Sequence, residues 1–357
     1  MTRVPDILDL MRNGKLSLPP AELRVLNVDP TIEAGVYTDA VIEGRWAGQC
    51  VHFLAEVKKL ATPKSLRQAI ATARDVASPP ATHPMVVVPY LSPAKLAELE
   101  AAMVSGVDLC GNGVLVVPGQ MLIFRSGQPN RYPQSVKLKN VYRGKNSLVP
   151  RAFLIQPSFS QVKGIVELLA QRRGRVAFST VSKVITRLEE ELVVSRAGGM
   201  IRLIQADVLL EKLAANYESP DIVERYRGKC DLPGSEIVRR LRSAASGQKD
   251  MVIMTGAASA EKYAAMAREP VLSLYTSMSP RELLAESNTD VKETDLFSNL
   301  EILQTTDARV FFDPRVEDGL PFACPVQAYL ELANGDKRQK DVAQQVRGGI
   351  LDSLDSF

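Results

Sequence analysis

Positive charge is concentrated in one part of this chain, and that concentration limits which surfaces and partners the chain can have. Between Leu109 and Leu188 a single carboxylate, Glu167, accompanies thirteen lysines and arginines. This basic band carries +12 while the whole chain carries +3, which leaves −9 for the other residues. Such a band suits a polyanion, because neutralising phosphates and releasing their counterions is a main source of nucleic-acid affinity. A solvated basic face that balances acidic neighbours is the alternative interpretation.

Length and composition indicate an ordinary globular protein. A chain of 357 residues is long enough for two or three domains, and 45% hydrophobic and 24% charged residues are typical of soluble globular proteins. Neither an apolar run of about 18 residues nor an apolar leader is found, so no membrane association or secretion is predicted. The two histidines, His52 and His83, are too few for a His-rich zinc site. Four scattered cysteines without a CxxC pair predict reduced, packed thiols in a cytoplasmic protein: Cys50, Cys110, Cys230 and Cys324.

The first region, residues 1–145, contains a predicted hairpin with a polar end. Residues 35–43 alternate like a strand, 44–48 form a turn, and 49–58 form the second strand. A period of two places Glu56 and Lys58 on one face of that strand. Asp39 lies 17 residues before Glu56 on the partner strand, so pairing can bring the two carboxylates together. The two acids could hold Mg²⁺, and Lys58 could stabilise charge on a phosphate.

These residues resemble the PD-(D/E)xK core of restriction-endonuclease-like proteins. The resemblance is carried by Asp39, by the Glu56-Val57-Lys58 run and by Gln68 on the helix that follows. It implies a catalytic set of Asp39, Glu56, Lys58 and Gln68, with Mg²⁺ held by the two acids. Thr38 stands where the motif has proline. Three interpretations stay open: an active nuclease, a scaffold that has lost catalysis, and a chance ExK on an unrelated sheet.

The second region, residues 146–218, predicts a DNA-binding module. Residues 152–155 suit a linker strand, Ser158 or Ser160 can cap a helix that ends at Gln171, and Ser179 can cap the next helix. Glycines at 198 and 199 then predict the turn of a hairpin. The candidate DNA contacts are polar or basic and include residues before the module: Ser179, Thr180, Ser182, Lys183, Thr186, Arg187, Arg196, Arg202, Arg172, Arg173, Arg175, Lys137, Lys139, Arg143 and Lys145.

The helix beginning near Ser179 and the following hairpin look like a winged helix-turn-helix. One feature conflicts with this resemblance, because the interval between Gln171 and Ser179 is too short for a separate second helix. An ordinary amphipathic helix with a hairpin is the alternative.

The third region, residues 219–357, predicts an α/β or α+β domain. Residues 221–243 look helical at both ends, and strands are expected at 251–254, 271–275, 299–303 and 309–312. Thr255-Gly256 could receive a phosphate at a helix start, but the segment lacks the GxxxxGK[ST] pattern, and a tight turn is the preferred interpretation.

Residues 324–333 and 341–346, with the winged-helix run and residues 255–259, are similar to the AbiEi-like group of type IV antitoxins and transcriptional regulators. The resemblance implies a bacterial protein that binds duplex DNA upstream of its own operon and opposes a toxin encoded nearby, without a cofactor. The predicted fold is thus α/β and multidomain, with an endonuclease-like domain, a winged helix and a C-terminal α/β domain. A homodimer is left open. The rival functions are a Mg²⁺-dependent endonuclease targeted by the winged helix, and a protein-binding adaptor.

Overall fold

The computed structural model describes residues 7–14, 16–28, 31–32, 36–77, 81–132, 140–245, 251–265 and 271–355. The chain is a mixed α/β protein that divides into two compact units, residues 1–138 and 139–357. Among the described residues, no helix combines the length and the apolar character needed to span a membrane.

The first unit contains one large mixed sheet with helices on its connections. Its elements are α1 (Ile7–Arg12), β1 (Glu22–Val28), β2 (Thr31–Ile32), β3 (Val36–Tyr37), β4 (Ala40–Trp46), β5 (Gln49–Val57), α2 (Pro63–Val76), β6 (His83–Val88), α3 (Pro93–Ala101), β7 (Ser105–Asp108), β8 (Gly113–Val117) and β9 (Met121–Arg125). The sheet order is β1-β4-β5-β6-β7-β8-β9. The β5–β6 and β6–β7 pairs are parallel, and the other neighbours are antiparallel.

The hairpin of β4 and β5 is tighter than the sequence predicts. Only Ala47 and Gly48 form the turn, both with positive φ, and residues 44–46 belong to the strand rather than to the predicted turn. Positive φ at both turn residues matches the right-handed twist of the flanking strands, so pairing continues up to Trp46 and Gln49.

Two apolar layers cover the two faces of this sheet. Alternate residues of β5, including Phe53 and Ala55, face a core that α1 also joins. The other layer contains the buried stripe of α2, with Leu66 and Ile70, and the apolar residues of α3. Every residue of β6 is buried, as expected of a central strand flanked by parallel neighbours. Thr62 caps α2 by accepting a hydrogen bond from the Ser65 N–H at 3.2 Å.

The second unit begins with helices and a small sheet and continues into a larger sheet. Its elements are α4 (Leu148–Phe153), β10 (Ser158–Phe159), α5 (Val162–Gln171), α6 (Phe178–Glu190), β11 (Val194–Ala197), β12 (Met200–Leu203), α7 (Ala206–Ala215), β13 (Glu224–Lys229), α8 (Gly234–Ala244), β14 (Val252–Met254), β15 (Leu272–Thr276), α9 (Pro280–Glu286), β16 (Lys292–Glu293), β17 (Leu300–Gln304), β18 (Arg315–Glu317), β19 (Leu320–Phe322), α10 (Pro325–Ala333) and α11 (Lys337–Asp355).

Several predicted elements of the first part of this unit are wrong in detail. Residues 152–155 are not a strand, because 148–153 form α4, with Pro150 in a first turn that does not need its N–H. The residue before α5 is Gln161 rather than Ser158 or Ser160, and Ser158 pairs instead with Arg202 in the three-stranded sheet β10-β12-β11. Ala177, and not Ser179, precedes α6.

The rest of the second unit forms a seven-stranded mixed sheet in the order β16-β13-β17-β15-β14-β19-β18. The predicted strands near 252, 272 and 300 are confirmed. The start of the predicted helical region 221–243 is the strand β13, and only α8 is helical. Residues 309–312 form a turn rather than a strand, because the Asp307 carboxylate accepts the Arg309 N–H at 3.0 Å and closes the chain locally.

One hydrophobic core draws on both the 146–218 and the 219–357 segments. Within it α4 is joined to α10 by a buried polar chain. The guanidinium of Arg151, which is 2% exposed, donates to Gln327 Oε1 at 2.9 Å and to the Arg309 carbonyl at 3.3 Å. Gln327 Nε2 in turn donates to Glu331 Oε1 at 2.9 Å. The start of the predicted DNA-binding segment is therefore anchored in the C-terminal part of the same unit.

Candidate functional site

Helix α6 presents a narrow polar face to solvent. Its buried residues are Val181, Val184, Ile185 and Leu188. At about 100° per residue, Ser179, Lys183 and Thr186 fall within an arc of roughly 60° opposite that buried stripe. All three side chains are exposed. Three of the predicted DNA contacts thus share one outward face.

Of the other predicted contacts on α6, Thr180 and Ser182 are partly buried at the edges of this face. The Ser182 carbonyl accepts a hydrogen bond from Thr186 Oγ1 at 3.1 Å. Short hydroxyl side chains at these positions leave room for another surface to approach the first turns of the helix. The outward face at this end carries Lys183 and no acid.

A groove lies between the start of α6 and the β11–β12 turn. It has a volume of about 480 Å³ and is lined by the start of α5, by Phe178 and by residues 196–201. Phe178 is 57% exposed, which is unusual for a large apolar side chain. The turn itself consists of Gly198 and Gly199, both with positive φ, and it projects without a side chain.

The two arginines of the β11–β12 hairpin lie on opposite faces. Arg196 is paired with Ile201 and lines the groove, whereas Arg202 is paired with Ser195 on the other face. Arg196 also faces Glu189, with Nε 3.7 Å from Oε2. Both arginines are close to the glycine turn in sequence, as predicted, but only Arg196 borders the groove.

The turn between α5 and α6 is held by a segment far away in sequence. Arg172 Nη1 lies 2.9 Å from Asp313 Oδ1, and the Asp313 N–H donates to the Arg172 carbonyl at 3.0 Å. A Cβ built on Gly174 would lie 3.0 Å from the Phe312 ring, so this contact is tight. Arg315 also binds Asp313, at 2.9 Å. Burial raises the pKa of Asp313 despite these two arginines. No local sequence pattern predicts this contact, because 141 residues separate Arg172 from Asp313.

Arg187 is directed to an internal carboxylate. Its Nε lies 2.6 Å from Glu191 Oε1, and the same carboxylate accepts a hydrogen bond from Tyr142 at 2.8 Å and binds Lys212. Burial acts to raise the pKa of Glu191, but the hydrogen bonds of Lys212 and Tyr142 and the nearby cations outweigh it and lower the pKa. Arg187 therefore neutralises this carboxylate instead of extending the outward face of α6.

The basic band is not uniformly available to a polyanion. Arg151 is core, and four cations form ion pairs: Arg143 with Glu218, Lys163 with Glu167, Arg172 with Asp313 and Arg187 with Glu191. Six form no ion pair with any described residue: Arg125 and Arg131 in the first unit, and Lys145, Arg173, Arg175 and Lys183 in the second. Lys137 and Lys139 lie outside the described residues.

The predicted acidic site of the first unit lies at the end of β5. Asp39 Oδ2 accepts the Val57 N–H at 2.7 Å, which brings this carboxylate to the strand end that carries Glu56. Lys58 Nζ lies 2.5 Å from Glu56 Oε1. The side chains of Lys58 and Glu56 are 30% and 13% exposed. Carboxylate oxygens suit Mg²⁺, but each acid already has a partner within the chain.

Gln68 does not join this group in the structure. It is exposed on α2, on a different face from the buried Leu66 and Ile70, and no hydrogen bond or ion pair links it to the described residues of the strand end. The structure therefore gives no support for Gln68 as a member of the catalytic set.

Thr255 and Gly256 form a closely packed turn, as preferred from the sequence. A Cβ on Gly256 would lie 2.7 Å from the Gln327 carbonyl oxygen, and the next N–H, of Ala257, donates to Glu331 Oε2 at 3.0 Å. The group that receives this N–H is thus the carboxyl of Glu331 in the chain itself, whose pKa is raised by burial.

Comparisons of the chain with protein-family models, with curated proteins and with solved structures give no match.

Proposed function

We propose that the second unit binds duplex DNA through α6 and the β11–β12 hairpin, and that the chain is a transcriptional regulator of the antitoxin-like type. The observation that carries this proposal is the outward face of Ser179, Lys183 and Thr186 on α6. The first residue of this helix, Phe178, lines a groove that the glycine turn also borders. Hydroxyls and a lysine on one helix face can bond to base edges and phosphates together.

The order of elements supports a winged helix-turn-helix. α4, β10, α5 and α6 are followed by the hairpin of β11 and β12, and β10 pairs with β12. Because α4 precedes α5, the segment has three helices and α5 is the second of them. No further helix is then needed in the short interval between α5 and α6. In this proposal α6 is the recognition helix and the hairpin is the wing.

An AbiEi-like regulator would bind upstream of its own gene and repress it. A duplex containing that upstream region is therefore the first DNA to test, beside an unrelated duplex of equal length. The double variant Lys183→Ala/Thr186→Ala should bind the upstream duplex about 5- to 50-fold more weakly by fluorescence anisotropy, as expected for a lost phosphate or base contact.

The matched control is Arg338→Ala/Lys340→Ala, which removes two exposed cations from α11 that form no ion pair with described residues. The control should bind the upstream duplex with the affinity of the wild type. In cells, the control should repress a reporter driven by the upstream region, and the α6 variant should leave that reporter expressed. Equal DNA affinity of the two double variants would contradict the assignment of α6.

A second candidate function, a Mg²⁺-dependent endonuclease of the PD-(D/E)xK type, is favoured by one observation. Asp39, Glu56 and Lys58 reach the same end of β5, with a helix directly after it. Asp39 and Glu56 would hold the ion, which would stabilise charge on the phosphate. Incubation of plasmid with the protein and Mg²⁺, beside Lys58→Ala, tests this function. Cleavage that is lost in the variant supports it, and intact plasmid with the wild-type protein contradicts it.

A further inference from the structure

The β4–β5 hairpin brings three metal-binding side chains together away from both sites described above. Glu43 is the direct partner of His52 across the hairpin, and Cys50 lies two residues before His52 on the same face. Cys50 Sγ is 3.4 Å from Glu43 Oε2, and His52 Nε2 is 4.0 Å from the same oxygen. All three ligand atoms lie within 4.8 Å of one another. We propose that Glu43, Cys50 and His52 bind a divalent transition-metal ion, with zinc as the expected metal.

The distances are close to those that a bound ion requires. Zinc lies about 2.3 Å from sulfur and about 2.0 Å from nitrogen or oxygen, so two ligands of a tetrahedral ion are about 3.3–3.8 Å apart. The Cys50 Sγ and Glu43 Oε2 atoms, 3.4 Å apart, meet this spacing. His52 Nε2 is 4.0 Å from Glu43 Oε2 and within 4.8 Å of Cys50 Sγ, so the imidazole must come closer to its two partners when an ion binds.

The surrounding structure orients the buried ligand. Arg45 Nε lies 2.9 Å from Glu43 Oε1, which fixes the carboxylate and leaves Oε2 directed at Cys50 and His52. Outer hydrogen bonds of this kind hold metal ligands in place. The two-residue turn keeps β4 and β5 paired up to Trp46 and Gln49, so all three side chains lie on paired strands.

The ligand chemistry selects the class of ion. A thiolate and an imidazole favour zinc and related transition metals over Mg²⁺, which prefers oxygen ligands only. Cys50 is the one exposed cysteine of the four, and the His52 side chain is 44% exposed, so a metal ion and a fourth ligand such as water can reach the site. His52 lies four residues before Glu56 on β5, about 13 Å along the strand, so the site is separate from the acidic strand end.

Cobalt titration of the full-length chain, freed of metal by a chelator, tests the proposal. Each chain should bind one Co²⁺ ion and show a thiolate-to-cobalt absorption band. Added Zn²⁺ should displace the Co²⁺ and abolish the band. Cys50→Ser should remove the band, and His52→Ala should weaken Co²⁺ binding at least tenfold. Cys230→Ser, which changes a buried cysteine, is the matched control and should retain the band.

Circular dichroism of each variant establishes that it is folded, which is expected for Cys50→Ser because Cys50 is exposed. A wild-type chain that gives no thiolate band would overturn the proposal. A band that persists in Cys50→Ser would overturn it equally. The result is independent of DNA binding and of nuclease activity, so it neither requires nor tests the proposed function.

Discussion

The outward face of α6 and the end of β5 are both polar, but their side chains are used differently. At the end of β5 Lys58 and Glu56 neutralise each other, and one oxygen of Asp39 is occupied by a backbone N–H. On α6 Lys183 is exposed and forms no ion pair with the described residues. A cation without a counterion can bind a phosphate directly, whereas the strand end must first break its own contacts. The comparison favours DNA binding over cleavage.

The basic band contains the same contrast within a single stretch of sequence. Arg151 and Lys183 are both cations of the band, but the first is core and the second is on the surface. Their mutational effects should therefore fall on different properties, folding for Arg151 and DNA affinity for Lys183.

The largest expected effect is on stability. Arg151→Ala removes a fully buried side chain and leaves Gln327 and the Arg309 carbonyl without their partner. We expect a loss of about 2–5 kcal/mol in the free energy of unfolding, because two buried acceptors lose their donor and a cavity remains. Urea denaturation measures it. Lys145→Ala, an exposed cation six residues earlier, should change it by less than about 0.5 kcal/mol. Similar values for both variants would show that Arg151 is not buried as described.

The second effect is on DNA affinity and its salt dependence. Lys183→Ala removes one unpaired cation, so the slope of log affinity against log salt should become less steep by about 1. Anisotropy titrations between low and moderate salt measure this slope. Arg187→Ala should change the slope less, because Glu191 already neutralises Arg187. A larger change for Arg187→Ala than for Lys183→Ala would reverse the assignment of the two residues.

A third, smaller effect concerns pH. The pKa of Glu191 is below its ordinary value of 4.5 in the folded chain, so its contacts stabilise the fold above about pH 4.5. This stabilisation is lost as the pH falls through the lowered pKa. Glu191→Gln should reduce the free energy of unfolding at pH 7 by about 1–3 kcal/mol, because hydrogen bonds to a charged group are lost.

Between pH 5 and pH 3 the free energy of unfolding should fall less for Glu191→Gln than for the wild type, because residue 191 no longer titrates. Urea denaturation at several pH values measures both curves. Parallel curves for the two proteins over this range would show that the Glu191 contacts do not contribute to acid sensitivity.

The smallest effect is expected at the end of β5. Lys58→Ala breaks a partly exposed ion pair, which is typically worth less than about 1 kcal/mol, and it should leave the affinity for duplex DNA unchanged. Denaturation and anisotropy of the same preparation measure both quantities. A large loss of DNA affinity in this variant would place DNA on the first unit and would weaken the contrast with α6.

Local patterns predicted much of the fold. The strand β5, the helix α2 and the buried stripe of α6 follow from periodicity, because each of these elements buries one face in a core layer. α4 was missed because its short apolar run has no distinct period, and only packing against α5 and α6 makes it helical. The apolar run at 309–312 predicts a strand for the same reason, but Val310 and Phe312 are buried inside a turn.

The candidate sites were predictable only in part. Proximity of Asp39 to the end of β5 followed from hairpin pairing, and the Glu43–His52 pair would have followed from the same register with a two-residue turn. The contact of Arg187 with Glu191 was readable at helical spacing. The contact of Asp313 with Arg172 cannot be read from the sequence, because 141 residues separate the two and no local pattern fixes such a contact.

Site-specific crosslinking to DNA tests most directly whether the outward face of α6 lies against a duplex. A photo-crosslinking amino acid at position 183 should form an adduct with the upstream duplex, and the same amino acid at position 340 should not. Competition with unlabelled duplex and raised salt should both remove the adduct. Crosslinks at position 340 without any at position 183, under conditions where the protein binds the duplex, would contradict this account.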